Sequence, residues 1–278
     1  QERHRCSARA VHAPSNWVDA SSSNSSIEII RATPSSLGVA FFIVVGMINL
    51  IWIWLGLMAS VQTTNTDFPL AQERFAQRKF AEAAQYACRA SANDPKNPAA
   101  VKLCGLAQQL SQQIPQAEQT FQRAVTAFPN DAEAWFYLAR VQYLQGQLKA
   151  AETTARQAIQ LRADYADAHT QLALALDGLH EDAEALKHYQ TAIQLNQKQQ
   201  RPMTLPLMYA GDLLLRMERF NEALEYLTQA VALNPNASLI RFQRGRALET
   251  LGKLREAERE YQQAITLDGN AQARTALE

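Results

Sequence analysis

The sequence predicts an all-α protein: a superhelical solenoid of six helix–turn–helix units, preceded by one transmembrane helix and a disordered tail. Three observations carry this. Alanines recur at Ala83, Ala117, Ala151, Ala185, Ala223 and Ala257, spaced 34, 34, 34, 38 and 34 apart. Each is followed seven residues later by another alanine (Ala90, Ala124, Ala158, Ala192, Ala230, Ala264) and preceded by twelve by Gly or Ala (Ala71, Gly105, Ala139, Ala173, Gly211, Gly245). Upstream, residues 37–58 form an unbroken apolar run. A fixed period in the 20–50 range marks a solenoid or array.

The elements follow in chain order. Residues 1–36 are Ser- and Asn-rich, show no sustained apolar period, and read as disordered tail. Residues 37–58, "LGVAFFIVVGMINLIWIWLGLM", carry one polar side chain, Asn49, and no charge lies between Arg31 and Asp67. About 20 apolar residues span the hydrocarbon core as a helix, and Trp52 and Trp54 suit an interface. A cleaved signal peptide would have a shorter apolar stretch and a small-x-small site, which "LGLMAS" does not offer. Asn49 can pair with a partner helix or stand alone, and no GxxxG supports self-association. Residues 59–67 form a linker into the first unit, short enough (roughly 30 Å when extended) to keep the repeats near the bilayer.

The repeat region runs from 64 to 271, in units 64–97, 98–131, 132–165, 166–199, 204–237 and 238–271. Each shows two apolar patterns of helical period around a polar turn, as in "AWFYLARVQYL" and "KAAETTARQAIQL" about Gln145-Gly146-Gln147. Small residues facing one another on the two helices should let them approach closely. Pro95, Pro129 and Pro235 stop second helices, since proline lacks an N–H and disfavours helical geometry before it. Asp67 should cap the first helix, with Pro69 in its first turn. The inserted residues 200–203, "QRPM", should lengthen a helix end or loop, and 272–278 are too short for a full capping helix.

Unit length, the Trp135–Leu138–Ala139 start, Gly146 at the turn, Ala151, Ala158 and the terminal prolines resemble the tetratricopeptide-repeat (TPR) family. The resemblance implies a right-handed superhelix whose first helices line a concave groove for a protein or peptide, with no catalysis and no cofactor. The family's groove positions fall on Phe68, Gln72 and Phe75; Lys102, Leu106 and Gln109; Phe136, Arg140 and Tyr143; Thr170, Leu174 and Asp177; Met208, Asp212 and Leu215; Phe242, Arg246 and Glu249. Phe136, Arg140, Phe242 and Arg246 are expected to face the groove. The family's terminal-carboxylate clamp uses Lys and Asn; Lys102 holds the Lys position but Leu106 replaces the Asn, so the expected ligand is an extended or helical apolar segment.

Lys plus Arg and Asp plus Glu balance at 27 each, against a nucleic-acid binder. No GxxxxGK[ST], GxGxxG, GxSxG, HExxH or CxxC occurs. No metal site is expected, and His169 reads as a semi-buried structural residue. Cys88 and Cys104 read as small helix-borne core fillers, and Cys6, Cys88 and Cys104 as free thiols. Free thiols favour a reducing compartment, which tips an otherwise undecided topology towards cytoplasmic or stromal-type repeats. The resulting expectation is a single-pass, membrane-anchored, non-catalytic scaffold or adaptor, possible roles including membrane-complex assembly. Two alternatives stand beside it: a soluble secreted or periplasmic repeat protein with a cleaved signal, and the regulatory part of a larger enzyme.

Overall fold

The computed structural model describes residues 66–277. The tail, the apolar run 37–58 with Asn49, and most of the linker lie outside the described residues; among those described, no helix is long and apolar enough to cross a membrane. Thirteen helices and no strands occur among the described residues. They pair as α1 (Asp67–Ala76) with α2 (Phe80–Asn93), α3 (Pro98–Leu110) with α4 (Ile114–Ala127), and α5 (Ala132–Leu144) with α6 (Leu148–Leu161). Then come α7 (Ala166–Gly178) with α8 (Asp182–Lys198), α9 (Thr204–Arg216) with α10 (Phe220–Leu233), and α11 (Ser238–Thr250) with α12 (Leu254–Asp268). A short α13 (Ala271–Leu277) ends the series. Six helix pairs therefore follow one another between Asp67 and Asp268.

Each helix packs on the next, and each unit's first helix also touches the first helix of the following unit. The first helices thus line one continuous face, as stacked units require when no hairpin can bury its apolar side alone. Second helices stop before the prolines, with Asp94, Phe128 and Asn234 as the last partly helical residues. Asn97 and Asp131 cap α3 and α5, each accepting two backbone N–H bonds. Asp67 does not cap α1. It is the first helical residue, and its carboxylate instead accepts from Arg89 Nη2 on α2 at 3.1 Å.

The turn within each unit has one residue in the left-handed region: Arg78, Gln112, Gly146, His180, Glu218 and Gly252. Only two are glycine, so the hairpin geometry is imposed by packing at the other four. The insertion lengthens a helix, as expected: α8 has 17 residues where α2, α4, α6 and α10 have 14.

Close packing takes a different form from the expected small-on-small contact. A Cβ built on Gly105 would lie 2.6 Å from the Phe121 ring, on Gly211 2.6 Å from Leu227, and on Gly245 2.4 Å from Tyr261. The first-helix glycine makes room for a large second-helix side chain sixteen positions on. Where that side chain is Ala87 or Ala155, the first helix carries Ala71 or Ala139. Unit four departs from the pattern, with Ala173 opposite Tyr189. The alanines themselves are sealed: Ala83, Ala117, Ala151, Ala185, Ala223 and Ala264 have no exposed surface. Of the segment 272–278, read as too short for a full capping helix, residues 272–277 form most of α13, and Ala273 is buried against Leu248, Tyr261 and Ala264.

The cysteine reading is corrected. Cys88 on α2 and Cys104 on α3 form a disulfide, their Cα atoms 4.8 Å apart. The two helices form an antiparallel pair about a turn near Lys96, and both residues lie eight positions from it, hence opposite one another. Only small neighbours allow that approach, and Ala71 and Ala87 supply them. The free-thiol argument for a reducing compartment is therefore withdrawn.

Candidate functional site

A recess of about 690 Å³ on the face of first helices spans units three to five. On the side of unit three its wall is aromatic and cationic: Phe136, Tyr137, Arg140 and Tyr143 from α5, then Arg162 and Tyr165 from the turn before α7. Thr170, Gln171 and Leu174 of α7 form its floor. On the side of unit five it is mostly aliphatic, with Leu205, Pro206 and Tyr209 of α9. Arg201 and Met203, from the insertion and its edge, close it there.

Arg140 is half-buried between rings, its guanidinium carbon 5.1 Å from the Tyr137 centroid and 5.6 Å from that of Phe136. It donates through Nε and Nη2 to Gln109 Oε1, at 3.1 and 2.5 Å. Burial pulls its pKa below the usual guanidinium value. Arg162 stacks over Tyr165 at 3.5 Å. Burial, then Tyr137 and Glu133, raise the Tyr165 phenol, which stays neutral. Gln171 is only 4% exposed, and its amide nitrogen has no partner among the described residues. An unpaired buried donor costs about 1–3 kcal/mol; the nitrogen is itself shielded, so a ligand acceptor meets it only when the amide turns towards the recess.

The residues expected to line the groove divide. Phe136, Arg140, Tyr143, Thr170 and Leu174 meet in the cavity. Phe136 nevertheless contradicts the expected exposure: it is 9% exposed, because the Tyr137 and Tyr165 rings cover it at 5.0 and 5.2 Å between centroids. Several others are taken up by neighbouring units, since parallel first helices bring equivalent positions within reach. Lys102 pairs with Asp131 at 3.1 Å and Glu133 at 2.5 Å. Burial alone would lower its pKa, but those two bonds raise it. Asp177 accepts from Arg216, and Asp212 accepts from Gln243 Nε2 at 2.9 Å.

Phe75 packs edge-on against Phe80, Leu106 against the Phe121 cluster, and Phe242 against Tyr261. Met208 and Leu215 belong to the main core or its edge. Phe68 is half-buried, and Gln72, Arg246 and Glu249 are exposed away from the cavity. Glu249 accepts from Tyr261 Oη at 2.7 Å. Sequence reasoning missed Tyr165, Gln171, Arg201 and Tyr209. What the sequence offered was the aromatic run Trp135-Phe136-Tyr137 and an arginine, Arg201, inside the one break in the period.

His169 is buried, as expected of a structural residue, and meets His188 across α7 and α8. His169 Nε2 lies 3.1 Å from the Ala163 carbonyl, so it carries the proton, and His169 Nδ1 accepts from His188 Nδ1–H at 3.0 Å. That leaves His188 Nε2 bare, 3.7 Å from Glu184. Burial, then His169, push the His188 pKa down to about 4 from 6.5; Glu184 opposes this, while Arg156 and Lys187 add to it. The neutral pair therefore stabilises the fold fully above pH 6.5, and that stability is lost as pH falls towards 4. The thermal midpoint should fall over this window, and His188→Gln should flatten the dependence. An unchanged slope would reject the pairing.

Residues 83–176 match the family described as Tetratricopeptide repeat protein 21 second ARM domain. Residues 210–274 match the family described as Tetratricopeptide repeat. No curated protein matches the chain. Among solved structures, the APC/C hetero-tetramer Cut9–Hcn1 is similar at TM-score 0.68 and 16% identity, covering 76% of this chain and 41% of that one. PilF of Pseudomonas aeruginosa is similar at 0.66 and 15%, covering 76% and 95%. YrrB, described as a TPR protein with an unusual peptide-binding site, is similar at 0.55 and 17%, covering 70% and 98%. At these identities the likeness concerns the fold.

Proposed function

We propose that this chain, which belongs to the tetratricopeptide-repeat family, is a non-catalytic scaffold. Its cavity across units three to five holds a segment of a protein partner. One observation carries the reading: a recess on the first-helix face is walled by tyrosines and arginines, the residue types that anchor interfaces. The peptide-binding site ascribed to YrrB supports a groove of this kind. The apolar run 37–58 supports a single-pass anchor that fixes the scaffold at a membrane. The Cys88–Cys104 bond supports placing the repeats on an oxidising side of it.

Crosslinked capture from solubilised membranes tests the groove. Arg140→Glu combined with Leu205→Glu should cut recovery of captured partners at least tenfold, with the helical signal unchanged. Both positions are surface-accessible in part, whereas Phe136 is buried and would confound folding with binding. Equal recovery by wild type and variant removes the groove reading. Extraction by carbonate at high pH would remove the anchor.

A further inference from the structure

The two ends of the recess differ in chemistry, and the difference specifies an occupant. Three guanidiniums face it, from Arg140, Arg162 and Arg201. Of the two carboxylates on its rim, Glu133 is already held by Lys102, which leaves Asp167; with Asp164, beside Arg162 and Arg201 in the adjoining recess, two carboxylates face three cations. Arg140 spends its donors on a neutral partner, the Gln109 amide oxygen. Gln171, nine-tenths buried and lining the floor, has an amide nitrogen without an acceptor among the described residues. Cations lacking carboxylate partners, together with an orphaned N–H donor, call for an incoming anionic acceptor.

At the other end, Met203, Leu205 and Pro206 offer aliphatic surface, and Leu205 is 50% exposed. A volume of about 690 Å³ accommodates more than one side chain. Lys102, which would be needed to grip a chain terminus in unit two, is consumed by Asp131 and Glu133.

We propose that the recess binds an internal, extended partner segment carrying an acidic side chain next to a bulky aliphatic or aromatic one. The carboxylate sits at the Arg140–Gln171 end, and the apolar side chain sits against Leu205 and Pro206. This rests on the groove reading above and adds the partner's chemistry to it. The insertion at 200–203 contributes Arg201 and Met203 directly and is followed by Leu205 in the wall. The preference is therefore built by the one irregular step in the repeat.

The test uses the full chain in detergent micelles and labelled 12-residue peptides, both ends capped, read by fluorescence anisotropy. One set pairs Glu with Leu or Phe; matched sets replace Glu by Gln or by Lys. Glu peptides should bind at least tenfold tighter than their Gln counterparts, and Lys peptides weakest. The Glu-to-Gln ratio should collapse towards one in Arg140→Gln and in the exposed loop variant Arg201→Gln. Leu205→Glu should weaken Glu and Gln peptides alike. Added salt should narrow the ratio, as expected for a charge contact open to solvent.

Equal binding of Glu and Gln peptides, or binding by neither, overturns the proposal. If the two bind equally and Leu205→Glu weakens both, the groove reading survives and only the acidic preference falls. Preference for an uncapped carboxyl terminus over the capped Glu peptide also overturns it, in favour of end recognition.

Discussion

Gly105→Val should destabilise the protein by about 3 kcal/mol, measured by urea unfolding, at the upper end of ordinary overpacking costs. The reason is local. A Cβ at this position would sit 2.6 Å from Phe121 Cζ and 2.8 Å from two neighbouring ring carbons. Phe121 is fully buried and stacks on Tyr137 at 5.4 Å, so the ring has nowhere to retreat. Phe121→Ala alone should cost about 3–5 kcal/mol by opening a cavity. The double variant should cost clearly less than the sum, because valine then fills part of the vacated volume. Strict additivity would mean that the glycine and the ring do not meet. The companion pair Ala139 and Ala155 shows the same contact solved at smaller volume, both residues being fully buried.

Replacing Cys88 and Cys104 together by alanine should lower stability by about 3 kcal/mol, the chain-entropy value for a loop of this size, since sixteen positions separate the two residues. The loss should concentrate at the amino-terminal end. Amide exchange should rise in α1 to α3 while α7 to α12 stay protected, because solenoid units depend chiefly on their neighbours. Thiol labelling of native, non-reduced protein should leave both cysteines unmodified, and the same labelling after denaturation without reductant should also miss them. Labelling at either residue under those conditions would refute the bond, and with it the ground for proposing an oxidising compartment.

Much of this architecture was legible because alanine cannot be silent at such regularity. Ala83 through Ala257 set the unit, and Pro95, Pro129 and Pro235 mark the ends of three units. What escaped was whatever depended on two residues meeting. Cys88 and Cys104 look like isolated fillers when read along the chain, and only their equal distance from the turn at Lys96 puts them opposite one another. The glycines were read as partners of alanines because the pattern shows which positions are small, not which neighbour fills the gap; Gly245 under Tyr261 required geometry.

The groove was half legible for a related reason. Arg140, Tyr143, Thr170 and Leu174 were found by register, yet register does not say which polar residues are consumed by the next unit. Lys102 and Asp212 were. Nor does it weigh a four-residue irregularity, which supplied the wall around Arg201 and Met203.

The covalent link between α2 and α3 also bears on mechanics. If the chain is pulled from its amino-terminal end, tension peels α1 and the start of α2, then reaches Cys88 and crosses through sulfur to Cys104. The residues between them carry no load, so the loop of roughly 50 Å that they would release by stretching stays shut. An oxidised molecule therefore yields in a shorter step at that end than a reduced one.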